Sequence, residues 1–384
     1  MRRRGIFIAI LGVFLCARAA QGFLTPPKRI LWTPGNSLWP AIAADSHNHI
    51  HLVWSDGTPG NYEIFYKRST DGGAKWTTSD RLTGTSGDSV LPAVATDSSG
   101  NIHVVWADGT PENSELYYTK STDGGATWGD IGKKRLTYMF GSSSGPALAV
   151  DPGDTLHLVW PNSATGSIEI YYMKSTDAGA TWTPKQRLTY NSGKSMWPAI
   201  TADSAGVLHV VWQDDKAGNL EIFYMRSSDG GVTWPLVKRL TWTAGESVRP
   251  ALAVLSGINL HVVFSENMPG SYEICYKRSG DGGSTWAPMK RLTWTAGDSG
   301  WPALAVAPAN KVYLAWADDT PGNEDIYGRM STNGGTTWTP TTRVTYNSGR
   351  SLFPAMVVDL SSFFHLVWQD DTPGNFELYY LKGK

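Results

Sequence analysis

Trp39-Pro40-Ala41-Ile42-Ala43-Ala44 begins a unit that occurs seven times in the chain. Successive copies of its Xaa-Pro-Ala tripeptide are 52 residues apart, or 54 in one case. The prolines of the seven copies are Pro40, Pro92, Pro146, Pro198, Pro250, Pro302 and Pro354. A period of about 50 residues is typical of a supersecondary unit that stacks on copies of itself. The repeat therefore governs the fold of the whole chain.

Each unit contains four short segments, which in the first unit are residues 41–44, 51–54, 63–66 and 81–83. The segments are rich in β-branched, aromatic or small residues and are bounded by Gly, Pro, Asp and Ser, a pattern typical of strands. Helical periodicity is absent. Four antiparallel strands in about 50 residues make up one blade of a β-propeller.

The seventh unit ends after its third segment, and residues 28–32 match a fourth segment that has no unit of its own. We expect this N-terminal strand to complete the last blade, because closure removes the exposed edges of an open array. The sequence thus predicts an all-β fold. It is a seven-bladed β-propeller of four-stranded antiparallel blades, with the last blade closed by the N-terminal strand.

A second motif, Ser-Xaa-Asp-Xaa-Gly-Xaa-Xaa-Trp, lies between the third and fourth segments of six units. Its acidic position is occupied by Asp71, Asp123, Asp177, Asp229, Asp281 and, in the variant copy, Asn333. A short carboxylate in a turn accepts hydrogen bonds from nearby backbone N–H groups. We therefore interpret these six residues as structural.

The six motifs resemble the BNR, or Asp-box, repeats of the sialidase superfamily, and the resemblance covers residues 21–384. It implies a propeller fold much more strongly than it implies an activity. Sialidases of that superfamily usually have six blades, whereas this sequence predicts seven.

The catalytic set that the resemblance implies is not evident. Sialidases need three arginines, a tyrosine activated by a glutamate, an acid/base aspartate and an Arg-Ile-Pro motif, and here the nearest match is Arg29-Ile30-Leu31. Arg29 also has a counterpart in every other unit, from Arg81 to Arg343. Because a residue common to all blades is explained by blade construction, we predict no catalytic residues. A sialidase-like exo-glycoside hydrolase stays open as the alternative.

The residue before the repeated proline varies between units, and we expect it near the ring axis on the face opposite the Asp boxes. It is Trp39, Leu91, Gly145, Trp197, Arg249, Trp301 and Phe353 in chain order. Aromatic and arginine side chains at such a place stack on sugar rings or bind an acidic group. The alternative is that they fill gaps between blades. The predicted ligand-binding residues are Trp39, Trp197, Arg249, Trp301 and Phe353.

The loop between the second and third segments supplies four further candidates, namely Asp56, Asp214, Asp318 and Asp370. One interpretation is a ring of carboxylates presented to a cation or to sugar hydroxyls. The other is efficient hairpin chemistry, since Pro-Gly in this loop is typical of type II turns.

Other polar and aromatic repeats are assigned to the fold. The histidine at the start of the second segment recurs once in six units, so it cannot converge on one metal ion, and we predict no metal site and no cofactor. Cys275 replaces an aromatic residue of sister units and is expected to be a buried thiol. Aromatic residues after the fourth segment, such as Trp32 and Trp242, are expected to pack between blades.

The N-terminus has the pattern of a secretory signal peptide, with three arginines, an apolar run and small residues before a cleavage site near Ala19 or Ala20. We expect residues 1–20 to be removed and residues 21–384 to form one propeller domain, secreted or periplasmic. Without residues 1–20 the chain has 29 basic and 34 acidic residues. No basic patch indicates nucleic acid, and no later segment is long enough for a membrane span.

Three hypotheses for function follow. The first is a non-catalytic, monomeric recognition propeller that binds a glycan or glycoprotein on the face opposite the Asp boxes. The second is the hydrolase named above. The third is a structural scaffold that binds a protein partner of the cell envelope.

Overall fold

A computed structural model describes residues 25–110, 113–129, 134–235, 237–255 and 257–384. These residues form strands and no helix, and the strands make seven four-stranded antiparallel sheets. The predicted seven-bladed β-propeller is thereby confirmed. No helix in the described ranges has the length and apolarity needed to cross a membrane. The predicted signal peptide lies outside the described residues.

Blades 1 to 4 each run from an inner to an outer strand. Blade 1 is β2 (Ser37–Ala44), β3 (Ile50–Asp56), β4 (Glu63–Ser69) and β5 (Asp80–Arg81). Blade 2 is β6 (Ser89–Thr96), β7 (Ile102–Asp108), β8 (Glu115–Ser121) and β9 (Lys134–Arg135). Blade 3 is β10 (Ala147–Val150), β11 (Leu156–Asn162), β12 (Glu169–Ser175) and β13 (Gln186–Arg187). Blade 4 is β14 (Ser195–Ala202), β15 (Leu208–Asp214), β16 (Glu221–Ser227) and β17 (Val237–Arg239).

Blades 5 to 7 follow the same order. Blade 5 is β18 (Ser247–Leu255), β19 (Asn259–Met268), β20 (Ser271–Ser279) and β21 (Lys290–Arg291). Blade 6 is β22 (Ser299–Ala307), β23 (Lys311–Asp318), β24 (Asp325–Ser331) and β25 (Thr342–Arg343). Blade 7 is β26 (Ser351–Val358), β27 (Phe364–Asp370), β28 (Glu377–Gly383) and the N-terminal strand β1 (Lys28–Arg29).

The first strands of neighbouring blades contact one another in a closed circuit, which places them around the ring axis. Strand β1 pairs with β28 through Lys28 opposite Tyr380 and Arg29 opposite Tyr379, so the N-terminus closes blade 7 as predicted. The Arg29 guanidinium lies 3.0 Å from Glu377, and its counterparts in the other blades lie 2.5 to 3.0 Å from the acidic residue that begins their third strand. The repeated arginine is therefore a blade component.

The apolar core lies between blades. Val53 and Ile64 of blade 1, for example, pack with Val104 and Trp106 of blade 2 in one buried cluster. Cys275 lies in the corresponding cluster of the blade 4 and blade 5 seam, and burial raises the pKa of its thiol to about 12. The seams hold the ring together, since each blade shares its core with the next.

The repeated histidine is buried and bonds two residues of its own blade. In blade 1 the His51 Nδ1 lies 2.8 Å from the Tyr66 hydroxyl, and its Nε2 lies 3.2 Å from Asp45 Oδ2. The same Asp-His-Tyr arrangement occurs in blades 2, 3, 4 and 7. These histidines are structural, because both ring nitrogens are committed inside the fold.

The tyrosine of that arrangement packs against the Asp box of the following blade. Tyr66 meets the ring of Trp128 edge-on at 4.7 Å, and a Cβ placed on Gly125 would lie 1.9 Å from its hydroxyl. Within the first box, Asp71 Oδ1 accepts hydrogen bonds from Ser69 Oγ and Lys75 N, both at 2.8 Å. The box thus shapes a turn that the neighbouring blade needs.

Blade 5 lacks the acidic partner, since Leu255 stands where blades 1, 2, 3, 4 and 7 have aspartate. The Nε2 of His261 consequently has no hydrogen-bond partner, and burial lowers the pKa of this imidazole to about 4. Burial also lowers the pKa of His365 to about 4. Both rings are neutral at pH 7.

Lowering the pH from 6.5 to 4 is expected to destabilise the fold through these two histidines. The unfolded chain takes up their protons near pH 6.5, whereas the folded chain does so only near pH 4. Stability is therefore full above pH 6.5 and declines below it, by roughly 3 kcal/mol for each histidine. Denaturant unfolding at several pH values measures the decline. A variant with His261→Gln and His365→Gln should show a shallower slope, and equal slopes would contradict the assignment.

Candidate functional site

The seven residues that precede the repeated prolines surround one opening at the axis. Together with those prolines they line a cavity of about 260 Å³, which we call the mouth. The side chains that the sequence predicted at the ligand face, Trp39, Trp197, Arg249, Trp301 and Phe353, are thus brought together. The same cavity is completed by Leu91 and Gly145.

A bulge in the first strands creates this arrangement. In blade 1 the register of β2 against β3 shifts between Leu38 and Ala41. Inside the shift Trp39 adopts a φ of 51°, and Arg249 and Trp301 adopt 55° and 54° in their own blades. A left-handed backbone is costly for a residue with a side chain and is often found at functional sites. In the six blades whose first strand has this shift, the bulge therefore aims one variable side chain at the axis.

The mouth is strongly asymmetric. On one side the rings of Trp301 and Phe353 lie 3.9 Å apart, and Trp197 meets Trp301 edge-on at 5.9 Å. On the other side Gly145 has no side chain, and a neighbouring cavity of about 250 Å³ opens there. A cluster of aromatic side chains on one side and free space on the other fit an elongated ligand. One ring of such a ligand can stack on the aromatic side chains while the rest extends past Gly145.

Arg249 supplies the positive charge of the mouth. Its guanidinium carbon lies 3.4 Å from the centre of the Trp301 ring, and its backbone N–H donates to Gln213 Oε1 at 2.8 Å. Burial lowers the pKa of this guanidinium. Among the described residues no carboxylate lies within ion-pairing distance of it. A half-buried cation without an acidic partner is suited to bind an anion.

A hydrogen-bonded pair of side chains beside Arg249, Tyr272 and Glu246, was not predicted from the sequence. The Tyr272 hydroxyl donates to Glu246 Oε2 at 2.8 Å, and burial, followed by this hydrogen bond, raises the pKa of Tyr272 to about 12. The tyrosine is therefore protonated at neutral pH. The sequence does contain a signal for this tyrosine. The residue before the acidic residue of the third strand varies between blades, and only blades 1 and 5 have tyrosine there, as Tyr62 and Tyr272.

The proposed ring of exposed carboxylates is wrong. Asp56, Asp214, Asp318 and Asp370 are all buried. Each accepts a hydrogen bond from the serine that begins the first strand of its blade, as Asp56 Oδ2 does from Ser37 Oγ at 2.8 Å. Its other oxygen accepts the backbone N–H two residues further on, as in Thr58. These carboxylates shape the hairpin and do not meet the solvent.

The aromatic residues after the fourth strands also differ from expectation. Trp32 is 71% exposed and Trp242 is 68% exposed, so they do not pack between blades. Each instead lies under the repeated arginine, with Arg29 at 5.5 Å from Trp32 and Arg239 at 5.8 Å from Trp242. Their regular recurrence reflects this arginine contact.

Comparison with solved structures supports the architecture. A protein of unknown function from Dyadobacter fermentans is 16% identical, with a TM-score of 0.57 over 93% of this chain and 99% of the other. The intramolecular trans-sialidase of Ruminococcus gnavus, in complex with oseltamivir carboxylate, is 13% identical, with a TM-score of 0.54 over 93% and 97%. A PL25 ulvan lyase bound to -[GlcA(1-4)Rha3S]- is 10% identical, with a TM-score of 0.66 over 93% and 96%.

At these identities the likeness concerns the fold alone. No curated protein sequence matches the chain significantly. The family model of the BNR repeat-like domain, however, matches residues 140–366, which is more than half of the chain. With its Asp boxes, its closed ring of seven blades and this match, the chain belongs to the BNR repeat-like family.

Proposed function

We propose that this protein is an exported, non-catalytic recognition propeller that binds an acidic glycan, free or on a glycoprotein, at the mouth. The observation that carries the proposal is the stacking of Arg249 on Trp301 beside Trp197 and Phe353. Export is supported by the N-terminal pattern that ends near Ala20.

The chemistry of the mouth fits such a ligand. Sugar rings have apolar faces that stack on aromatic side chains, and their hydroxyl and acidic groups need polar partners. Trp301 offers the stacking surface, and Arg249 offers donors for a carboxylate or a sulfate. The open side at Gly145 leaves room for the rest of a chain.

The structural neighbours agree in ligand chemistry. One was solved with oseltamivir carboxylate and another with -[GlcA(1-4)Rha3S]-, and both ligands are acidic. Those ligands belong to the neighbours. For this chain they support an acidic group as the feature that Arg249 recognises.

A glycan array that contains acidic and neutral oligosaccharides is the direct test. We expect acidic glycans to bind, and we expect Trp301→Ala or Arg249→Ala to weaken binding about tenfold or more, which corresponds to about 1.4 kcal/mol. Trp242→Ala removes an exposed tryptophan outside the mouth and is the matched control. An array without hits, or unchanged binding by Trp197→Ala and Trp301→Ala, would refute the proposal.

One observation favours a sialidase-like hydrolase as the second candidate. Tyr272 and Glu246 form a hydrogen-bonded pair next to Arg249, and a tyrosine beside a glutamate base can act as a nucleophile. The raised pKa of Tyr272 and the lack of two further arginines in the mouth lining speak for binding without turnover.

Turnover of a fluorogenic sialoside decides between the two. The hydrolase predicts activity that Tyr272→Phe and Arg249→Ala abolish, while Tyr62→Phe at the sister position in blade 1 retains it. Binding without turnover supports the recognition propeller.

A further inference from the structure

The turn between β2 and β3 contains two histidines that the other six blades lack. Its sequence is Asp45-Ser46-His47-Asn48-His49, and the positions of His47 and His49 are occupied in blade 2 by Ser99 and Asn101. None of the remaining blades has histidine at either position. The fold of this turn therefore does not require the two imidazoles.

The backbone of the turn holds the Asp45 carboxylate in one orientation. Oδ1 accepts the backbone N–H groups of His47 and His49, each at 2.8 Å. Oδ2 lies 3.0 Å from His49 Nδ1 and 3.2 Å from His51 Nε2. The other nitrogen of His51 bonds the Tyr66 hydroxyl, so the ring that orients Asp45 is itself fixed.

The side chains of Asp45, His47 and His49 lie close together. One ligand atom from each lies within 4.8 Å of the other two. Asp45 is buried, the His49 side chain is 31% exposed, and His47 is exposed. An ion can thus reach the cluster from solvent and meet a carboxylate that is already positioned.

The spacing agrees with a metal centre. Tetrahedral zinc with bonds of about 2.0 Å separates its ligand atoms by about 3.3 Å. The observed 3.0 Å between Asp45 Oδ2 and His49 Nδ1 is close to that edge, and the exposed His47 ring stacks on His49 with their centroids 5.6 Å apart. Two imidazoles and one carboxylate suit zinc and its first-row neighbours better than magnesium or calcium, which prefer oxygen ligands.

We propose that Asp45, His47 and His49 bind a divalent transition-metal ion of the zinc type, with water completing the coordination. His49 coordinates through Nδ1 after its ring proton moves to Nε2, so the metal replaces the hydrogen bond to Asp45. His51 and Tyr66 stay outside the coordination sphere and keep the carboxylate oriented, as outer partners commonly do.

The site lies at the seam that closes the ring. Asn48 of the same turn donates to Ser361 Oγ of blade 7 at 3.2 Å, and its Oδ1 accepts the backbone N–H of Leu360 at 2.8 Å. An ion bound here rigidifies a turn that contacts the last blade. Because the site is assembled only in the folded chain, bound metal stabilises the ring.

The test uses the tag-free protein after chelation and dialysis. Titration calorimetry with zinc chloride is expected to give one ion per chain, and thermal unfolding is expected to shift upwards by several degrees with excess zinc but not with magnesium. Cobalt as a probe is expected to give the visible absorption of a tetrahedral nitrogen and oxygen site.

The matched variant carries His47→Ser and His49→Asn, the residues of blade 2. It retains the contact between Asp45 and His51 and is expected to stay folded, to lose zinc binding and to lose the thermal shift. Absence of zinc binding in the wild-type protein would overturn the proposal. Equal zinc binding by this variant would overturn it as well.

Discussion

Deletion of residues 25–32 is expected to destabilise the entire propeller. The deletion removes β1 and with it the side chains of Ile30 and Leu31, which are 3% and 2% exposed. Loss of two such buried side chains costs about 2–5 kcal/mol each. It also exposes the edge of β28. The buried Glu377 accepts hydrogen bonds from Arg29 and from the backbone N–H of Thr33, and the deletion removes the first donor and the strand that positions the second.

The effect reaches the neighbouring blade. Lys67 of blade 1 is buried and donates its Nζ to the carbonyl of Ile30 at 2.8 Å, so the deletion leaves a buried ammonium without that acceptor. An unpaired buried polar group adds about 1–3 kcal/mol. Since each seam shares its core with the next, the ring loses its closure as one cooperative unit.

Calorimetry or circular dichroism should therefore show a fall in melting temperature of more than about 10 °C. Deletion of residues 25–27 alone is the control, because it removes only the exposed contact between Thr25 and Lys382 and leaves β1 intact. An unchanged melting temperature after the larger deletion would contradict closure by the N-terminal strand.

Gly231→Ala, in the Asp box of blade 4, is expected to destabilise the fold strongly. Gly231 has a φ of 84°, and a Cβ there would lie 1.9 Å from the hydroxyl of Tyr172. Tyr172 cannot retreat, because it is buried between blades and its hydroxyl lies 2.8 Å from His157 Nδ1. The left-handed backbone costs about 1–2 kcal/mol and the overlap a further 1–3 kcal/mol.

The neighbouring glycine separates the two contributions. Gly230 also has a positive φ, of 66°, but a Cβ there would come no closer than 3.7 Å to the flexible end of Lys174. Gly230→Ala should thus show the backbone cost alone. Equilibrium unfolding of both variants measures the difference, and equal destabilisation would mean that the contact with Tyr172 is unimportant.

The fold was accessible from sequence because its information is local and repeated. Seven copies at a constant period define the blades, and the unmatched segment at residues 28–32 indicates how the ring closes. Variation between the copies also identified the position of Trp301 and Arg249. Residues at the same position of each repeat can be compared directly in the sequence. The mouth was predictable because it is lined by residues of such equivalent positions.

Contacts between inequivalent positions were not accessible in this way. The pairing of Tyr272 with Glu246 joins the third strand of blade 5 to the residue before its first strand, and the burial of Asp56 depends on a serine of another strand. The position of His49 beside Asp45 depends on the shape of one turn. The contacts of Tyr272 and His49 have no periodic signature, and the recurrence of the serine and the aspartate does not by itself show that the two side chains meet.

The sequence alone thus determined the seven blades, their closure and the variable residue that each contributes at the axis, because strand patterns and repeat spacing are properties of the chain. Only the tertiary structure decided which side chains meet. It buried the loop aspartates, exposed the outer tryptophans and stacked Arg249 on Trp301. The physical reason is that the twist of each blade and its angle to the next set these distances, and neither is encoded in the period of the repeat.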